Sequence, residues 1–377
     1  MKKQHQKIVL FLFLIFLIRC GDGGGVNPTT PSDTTKFLEI HVINVQQGDS
    51  TLVIGPNGTT LLIDGGDTGY GKNDIVPYLK KMGIENGLDY MINTHRHADH
   101  LGGFDEVINA GYDVKKGIFD NESDKTDTVA ITQFLTVATS TTAKSVQTMP
   151  LGYVIDIGNG AKITAVAVGR KIFGATTTPL VTDESDKSVA LLIQYGLFDH
   201  VMTGDLGGGE STEDKACTGR STDQENMESI LVKALLPGGG AALLTLSGVE
   251  AMMVPHHGSE SSTNRDYMNG LSPSVAIISV GAGQDPVWNH PRKDIVETVL
   301  MAGKPCITAP KALVLQTDEG DPIGVKTSQA GFVVGDVVIK TNGVSPFQVS
   351  GSGRVRVGSP NERASAGIDP PASFPLE

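Results

Sequence analysis

The chain has 377 residues, a formal net charge of −12 at neutral pH and a pI near 5.2. That length can bury a large core in one substantial domain or two closely associated halves, and the acidic balance argues against a surface that grips polyanions through broad positive potential. With 46 glycines and only 5% aromatic residues, the composition fits short strands and tight turns better than a helical bundle.

In chain order, the basic "MKKQHQK" precedes an apolar run, Ile8 to Ile18, that is too short to span a bilayer comfortably. The run closes on Cys20, followed by the polar "GDGGGVNPTTPSDTT". This resembles a bacterial lipoprotein signal, although Arg19 stands where a small residue usually precedes the cysteine. The expected form is therefore exported and held at the membrane by a lipid on Cys20; an uncleaved anchor or a secreted form are the alternatives. Residues 1–20 read as the signal, 21–36 as a flexible linker, 37–348 as the folded domain and 349–377 as a Gly/Ser/Pro-rich, loosely packed tail.

Within the domain, "KFLEIHVINV" alternates with strand period, and "STLVIG" and "TTLLIDGG" flank an Asn-Gly turn. Residues 73–84 carry helical spacing, with Asn73 or Asp74 as the cap and Gly83 as the stop. "LDYMINT" reads as a buried strand, and "FDEVINAG" and "DTVAITQFLTVAT" as helices. "YVIDIGNGAKITAVAVG" is a hairpin, and "SVALLIQYG" and "HVMTGD" are two more strands around the turn "LFD". A loop over 206–223 leads to the helix "QENMESILVKALL", the strand "VEAMMV", a helix near "TNRDYMNG", the strand "VAIISVG", the helix "KDIVETVLMAG" and final strands through "VVIKTNG". Hairpins mixed with strand–helix alternation fit two mixed sheets packed face to face better than one doubly wound parallel sheet. Cys217 and Cys306 have no metal-type spacing, and the sequence leaves their pairing open.

Chemistry concentrates in "NTHRHADHLGG", residues 93–103. A helix would turn position i+2 away from i, so His95, His97, Asp99 and His100 converge only from a loop: His95 and His97 on one ion, Asp99 and His100 on a second. Two ions roughly 3.5–4 Å apart clamp and hydrolyse ester and phosphodiester bonds. Asp205, the pair His256 and His257, and His290 follow later apolar runs or loops and could reach the same rim.

The ordered motifs "HVINVQQGDSTLV", "LLIDGG", "THRHADHLGG", "MTGD", "VPHHGSESS" and "NHP" are similar to those of the metallo-β-lactamase superfamily, and most of all to the hydrolase domain of ComEC-type DNA-uptake proteins and its stand-alone relatives. The resemblance implies an α/β (α+β) fold, an αββα four-layer sandwich of two mixed β-sheets flanked by helices. It implies two divalent metal ions, zinc by default with manganese or iron possible, held by His95, His97, Asp99, His100, a bridging Asp205, and His256 or His257. Asp64 is then a buttress of the metal loop, and Asp49 and Ser50 are structural. The histidine that many members carry before the aspartate is missing, since His200 sits in a turn or early strand; His290 could fill that gap or act at the leaving group. Asp99 or Asp205 would orient the attacking water, and Ser259, Ser261 and Ser262 could donate to a phosphate or cap the next helix. Arg96, Arg265, Arg292 and Lys293 are only scattered near the motifs, which speaks mildly against long nucleic acid.

The leading expectation is an exported metal-dependent phosphodiesterase or nuclease-like hydrolase acting on a small-molecule or phosphodiester substrate, with single-stranded nucleic acid possible. A lactam- or lactone-type hydrolase and a weakly active metal-binding module of the cell envelope are the alternatives. No protein partner is identifiable, and the chain has no long hydrophobic channel segments, so DNA transport is not expected of it.

Overall fold

The computed structural model describes residues 36–209, 215–217, 222, 224–281, 289–318, 320, 332–352 and 372–376. The signal and most of the linker read from the sequence lie outside these residues. In chain order the first half supplies β1 (Leu38–Val42), β2 (Thr51–Ile54), β3 (Thr60–Ile63), α1 (Val76–Lys81), β4 (Leu88–Ile92), α2 (Ala98–Leu101), α3 (Phe104–Asn109), β5 (Val114–Asp120), α4 (Val129–Ala138) and β6 (Val146–Thr148). Then come β7 (Val154–Gly158), β8 (Ala161–Val168), β9 (Lys171–Ile172), β10 (Ala190–Tyr195), β11 (Phe198–Met202), α5 (Met227–Leu235), β12 (Ala251–Met253), α6 (Arg265–Leu271), β13 (Val275–Ile278), β14 (Leu313–Gln316), β15 (Phe332–Val333), β16 (Val337–Thr341), β17 (Phe347–Gly351) and β18 (Ala372–Phe374).

These strands form two mixed sheets, ordered β18-β17-β16-β1-β2-β3-β4-β5-β6 and β15-β14-β13-β12-β11-β10-β8-β7, with β9 paired to β8. Period-two alternation decides how they stack. Ile40, Leu61 and Ile63 of the first sheet meet Leu191, Met253 and Ile277 of the second in a core between the sheets. Their neighbours point the other way: Leu62 packs with Phe104 and Phe134 under the first helices, and Leu192, Ala276 and Ile278 pack with Leu231 and Tyr267 under α5 and α6. Helices therefore cover both outer faces, giving the αββα sandwich. Among the described residues no helix is long and apolar enough to cross a membrane.

Several local expectations need correction. Neither Asn73 nor Asp74 caps α1; residues 71–75 wind as a π-helical turn, and Pro77 sits in the first turn of α1, where its missing N–H costs nothing. The last long helix, read as α from Lys293, is π-helical over Asp294–Leu300. The tail boundary at 348 cuts through β17, where Phe347 and Val349 are buried while Gln348 is exposed, and β18 pairs outside it. Composition marked that segment as polar, but its short apolar alternation is enough to extend a sheet edge. Asn264 caps α6 by accepting from the Tyr267 amide, so the preceding serines do not.

His200 lies in mid-strand on β11, fully buried and stacked beside Phe198. Burial holds its pKa down to about 3, against a backbone contact to Ala251. Because the folded value lies below the unfolded one near 6.5, its neutral form favours the fold fully above pH 6.5, and that contribution is lost as pH falls towards 3. Chemical denaturation should show wild type losing about 2 kcal/mol more than His200→Leu between pH 7.5 and pH 5; an equal loss in both proteins would refute this. Cys217 and Cys306, 89 residues apart, form a disulfide. Converting both to serine should lower stability by about 2–4 kcal/mol in the same assay, because the loop they close is long.

Candidate metal centre

The rim of the sandwich where β4, β11 and β12 end collects the polar residues singled out in the sequence. His95 lies three residues beyond β4, and His97 is the extended residue that opens α2. Asp99 and His100 then sit on α2 itself, so the cluster is divided between a loop and one helical turn rather than carried by a loop alone. Gly48 makes this possible: at φ 119° it packs against the Asp99 carbonyl so closely that a Cβ would collide with it. Asp205 follows β11, and His256 and His257 follow β12, both in left-handed backbone with φ near 50°. Such conformations cost on the order of 1–3 kcal/mol each and persist where the surroundings impose them.

Asp205 is the meeting point. One carboxylate oxygen lies 3.4 Å from His95 Nε2 and 3.5 Å from His256 Nε2; the other lies 3.2 Å from His100 Nε2 and 3.7 Å from His257 Nε2. His257 Nε2 is also 3.3 Å from Asp99. Four groups of side chains bring ligand atoms close enough to share a cation: His95 with His97 and Asp205, Asp99 with His100 and His257, and two that include Asp49, one with Asp205 and His257 and one with Asp64 and His100. His100 Nε2, His257 Nε2 and Asp205 Oδ1 are buried without a hydrogen-bond partner and face one another, an arrangement that a divalent cation satisfies and that polar atoms otherwise avoid. His257, and not His256, belongs to a cation-holding group; His256 instead pairs its Nδ1 with Ser261 Oγ at 2.8 Å.

Buried neighbours set the ring orientations. His100 Nδ1 donates to Asp64 at 2.9 Å, and Asp64 also accepts from the Thr94 amide and hydroxyl, each at 2.7 Å. His257 Nδ1 donates to the Ser279 carbonyl at 2.9 Å, with Asp49 at 3.4 Å. Each imidazole thereby turns its Nε2 towards the rim. The electrostatics follow. Burial would push the Asp205 carboxyl up, but the imidazoles of His100, His256, His95 and His257 hold it well below the usual range. Burial likewise opposes charge on His100 and His257, yet the carboxylates, Asp205 first, hold both well above an ordinary histidine. His95, where burial wins, is held down to about 4.

His200 is remote from this rim in its strand. Near His97 stands Ser185, its Oγ 3.4 Å from Nδ1, on a loop that the sequence reading passed over. That loop is fixed by Glu184, which accepts from the Arg96 amide, Asn121 and Ser123, while the Arg96 side chain binds Asp120 at 2.7 Å. "DESDKS" contains no histidine, so nothing marked it as part of a ligand shell. His290 reaches the rim, its ring 5.5 Å from His256 and 6.2 Å from His257, but in none of these cation-holding groups. Ser259 and Ser262 bond within their own turn.

Residues 43–122 match the family model described as the metallo-beta-lactamase superfamily. The chain is 24% identical over 310 residues to ComE operon protein 3 of Bacillus subtilis, covering 76% of this chain and 32% of that protein. It is 22% identical over 263 residues to Recombination protein 2 of Haemophilus influenzae, covering 69% of this chain and 26% of that one. The chain thus spans about a third or less of the length of these curated relatives. Among solved structures, zinc-bound PqqB from Methylobacterium extorquens is 14% identical, with 55% of this chain and 59% of that chain covered and a TM-score of 0.31.

Asp64→Asn should place an amide N–H against the Thr94 or His100 donors and let the His100 ring turn. Metal titration should show roughly 10–100-fold weaker binding at one of two sites; unchanged affinity at both would remove Asp64 from the support of the centre.

Proposed function

We propose that this chain, a metal-dependent hydrolase of the metallo-β-lactamase superfamily, cleaves compact phosphodiesters. The observation that carries the proposal is the cavity of about 550 Å³ over the rim, into which His97, Asp99, Asp205, His257 and His290 open. The other described residues that line it are Gln47, Asp67, Asp183, Ser185, Gln224 and His256, whose side chains carry polar ends, and Ala98. The donors among these residues, Gln47, Ser185 and Gln224, suit the oxygens of a phosphodiester. No lysine or arginine lines the cavity among the described residues, so a long nucleic-acid strand has little to hold it there. One of the curated relatives is named for recombination, and a single-stranded end is the second substrate to test.

Divalent cations held at this centre, zinc by expectation with manganese as the alternative, would supply Lewis acidity and lower the pKa of water. His95, His97 and Asp205 would hold one, and Asp99, His100 and His257 the other. Asp99 or Asp205 would accept a hydrogen bond from the attacking water and so aim it. His290, whose pKa burial and the neighbouring imidazoles hold well below the ordinary value, stays neutral and donates a hydrogen bond to a phosphoryl or leaving oxygen instead of delivering a full proton. An envelope location belongs to the same proposal: the apolar run ending at Cys20 and the Cys217–Cys306 disulfide both suit an oxidising compartment outside the cytoplasm.

The metal-loaded full chain, assayed on bis-p-nitrophenyl phosphate, single-stranded DNA and nitrocefin, should cleave the first and leave the last intact; cleavage of nitrocefin alone would overturn the proposal. His97→Ala should lose activity and metal content together. His290→Ala should keep its metal and lose about 10²–10³ in kcat, with His290→Gln recovering part of it.

A further inference from the structure

Nine large apolar side chains stand exposed among the described residues, and four of them gather at the end of the sandwich opposite the metal centre. Phe37 is 37% exposed, Leu197 55%, Leu246 83% and Val344 76%. Isolated exposed leucines need no explanation, but these four are held together by the fold. Leu197 forms the tip of the β10–β11 hairpin and donates its amide to the Gly343 carbonyl, beside Val344 at the tip of the β16–β17 hairpin. Tyr195, at the base of the same turn, donates its hydroxyl to the Lys36 carbonyl, next to Phe37. Gln194 reaches the carbonyl of Leu243, in the loop that carries Leu246. Asp205 lies beyond the other end of β11, whose five residues put about 17 Å between the two ends.

We infer that this pole is a lipid-contacting face on which the domain stands, with its metal centre turned away from the bilayer. The inference rests on the membrane tether read at Cys20, not on the substrate. Fifteen residues, Gly21 to Thr35, separate Cys20 from Lys36, a covalent reach of at most about 50 Å. The described domain begins at this pole, because Lys36 and Phe37 lead directly into β1 there. A tether confines the domain near the membrane without orienting it. Orientation needs a second contact, and aliphatic side chains on loop tips provide one by entering the headgroup and acyl boundary. Lys340, whose ammonium lies 4.5 Å over the Phe37 ring and 2.6 Å from Glu39, props that ring in place, so the contact with lipid is left to the apolar side chains.

The full chain reconstituted on phosphatidylcholine vesicles tests both levels. Flotation reads the tether, and quenching of Leu246→Trp by brominated lipid reads the face. The comparison is Leu180→Trp, at a site 75% exposed and three residues before Asp183 at the cavity. We expect the protein to float, Leu246→Trp to be quenched about twofold beyond the wild-type background, and Leu180→Trp to match that background. Leu197→Asp/Leu246→Asp/Val344→Asp should float through the tether, keep its hydrolytic rate and remove the quenching of a tryptophan placed at Phe37. Flotation without selective quenching would overturn the face while leaving the tether. Failure to float would overturn both, and the hydrolysis assay would still stand. A lipid-independent dimer abolished by the triple substitution would assign the patch to a second copy and overturn the inference.

Discussion

Two carboxylates, Asp99 and Asp205, share a water-poor rim with the imidazoles of His95, His100, His256 and His257, and charges in such a place persist only when something compensates them. Much of the surrounding structure serves that requirement. The inter-sheet core fixes where β4, β11 and β12 end, and those ends bring groups distant in the chain to one point. Asp64, Asp49 and the Ser279 carbonyl then hold the rings so that the Nε2 atoms, and not the Nδ1 atoms, face the carboxylates. Left-handed backbone at His256 and His257 is a local cost sustained by the same packing.

The polarity of the cavity and the position of the supports fit together. Arg96 belongs to the metal loop by sequence, but its guanidinium is turned away to Asp120, so the one cation within the motif props the scaffold instead of gripping substrate. Glu184 ties the same loop to the segment that carries Ser185. Among the described residues no lysine or arginine lines the cavity, in keeping with the compact substrate proposed above.

The sandwich also separates two roles at opposite poles. Parallel strands β11 and β12 deliver chemistry at their C-terminal ends, while the turns at their other ends carry exposed aliphatic side chains next to the chain's entry into the domain. A fold that gathers its candidate ligands at one rim leaves the other free for the lipid contact inferred above.

The sequence alone was enough for most of the sheet-forming strands, though not for β5, β6 or β9, and for the metal-type loop and its family resemblance, because period-two alternation and a dense histidine motif are local signals that short segments carry by themselves. Asp64 as a buttress came only with the family resemblance, through the match at "LIDGG". Other features depended on contacts between segments far apart in the chain. The π-helical turns are decided by packing that shifts backbone hydrogen bonds without changing the apolar spacing. The last two strands needed a sheet edge to receive them. The choice of His257 over His256 rests on which ring finds the Ser279 carbonyl, 22 residues away. The withdrawal of His200 into a strand, the approach of Ser185 to His97 and the Cys217–Cys306 pairing all needed the two sheets to close on each other, since only that closure sets which distant side chains share a buried space.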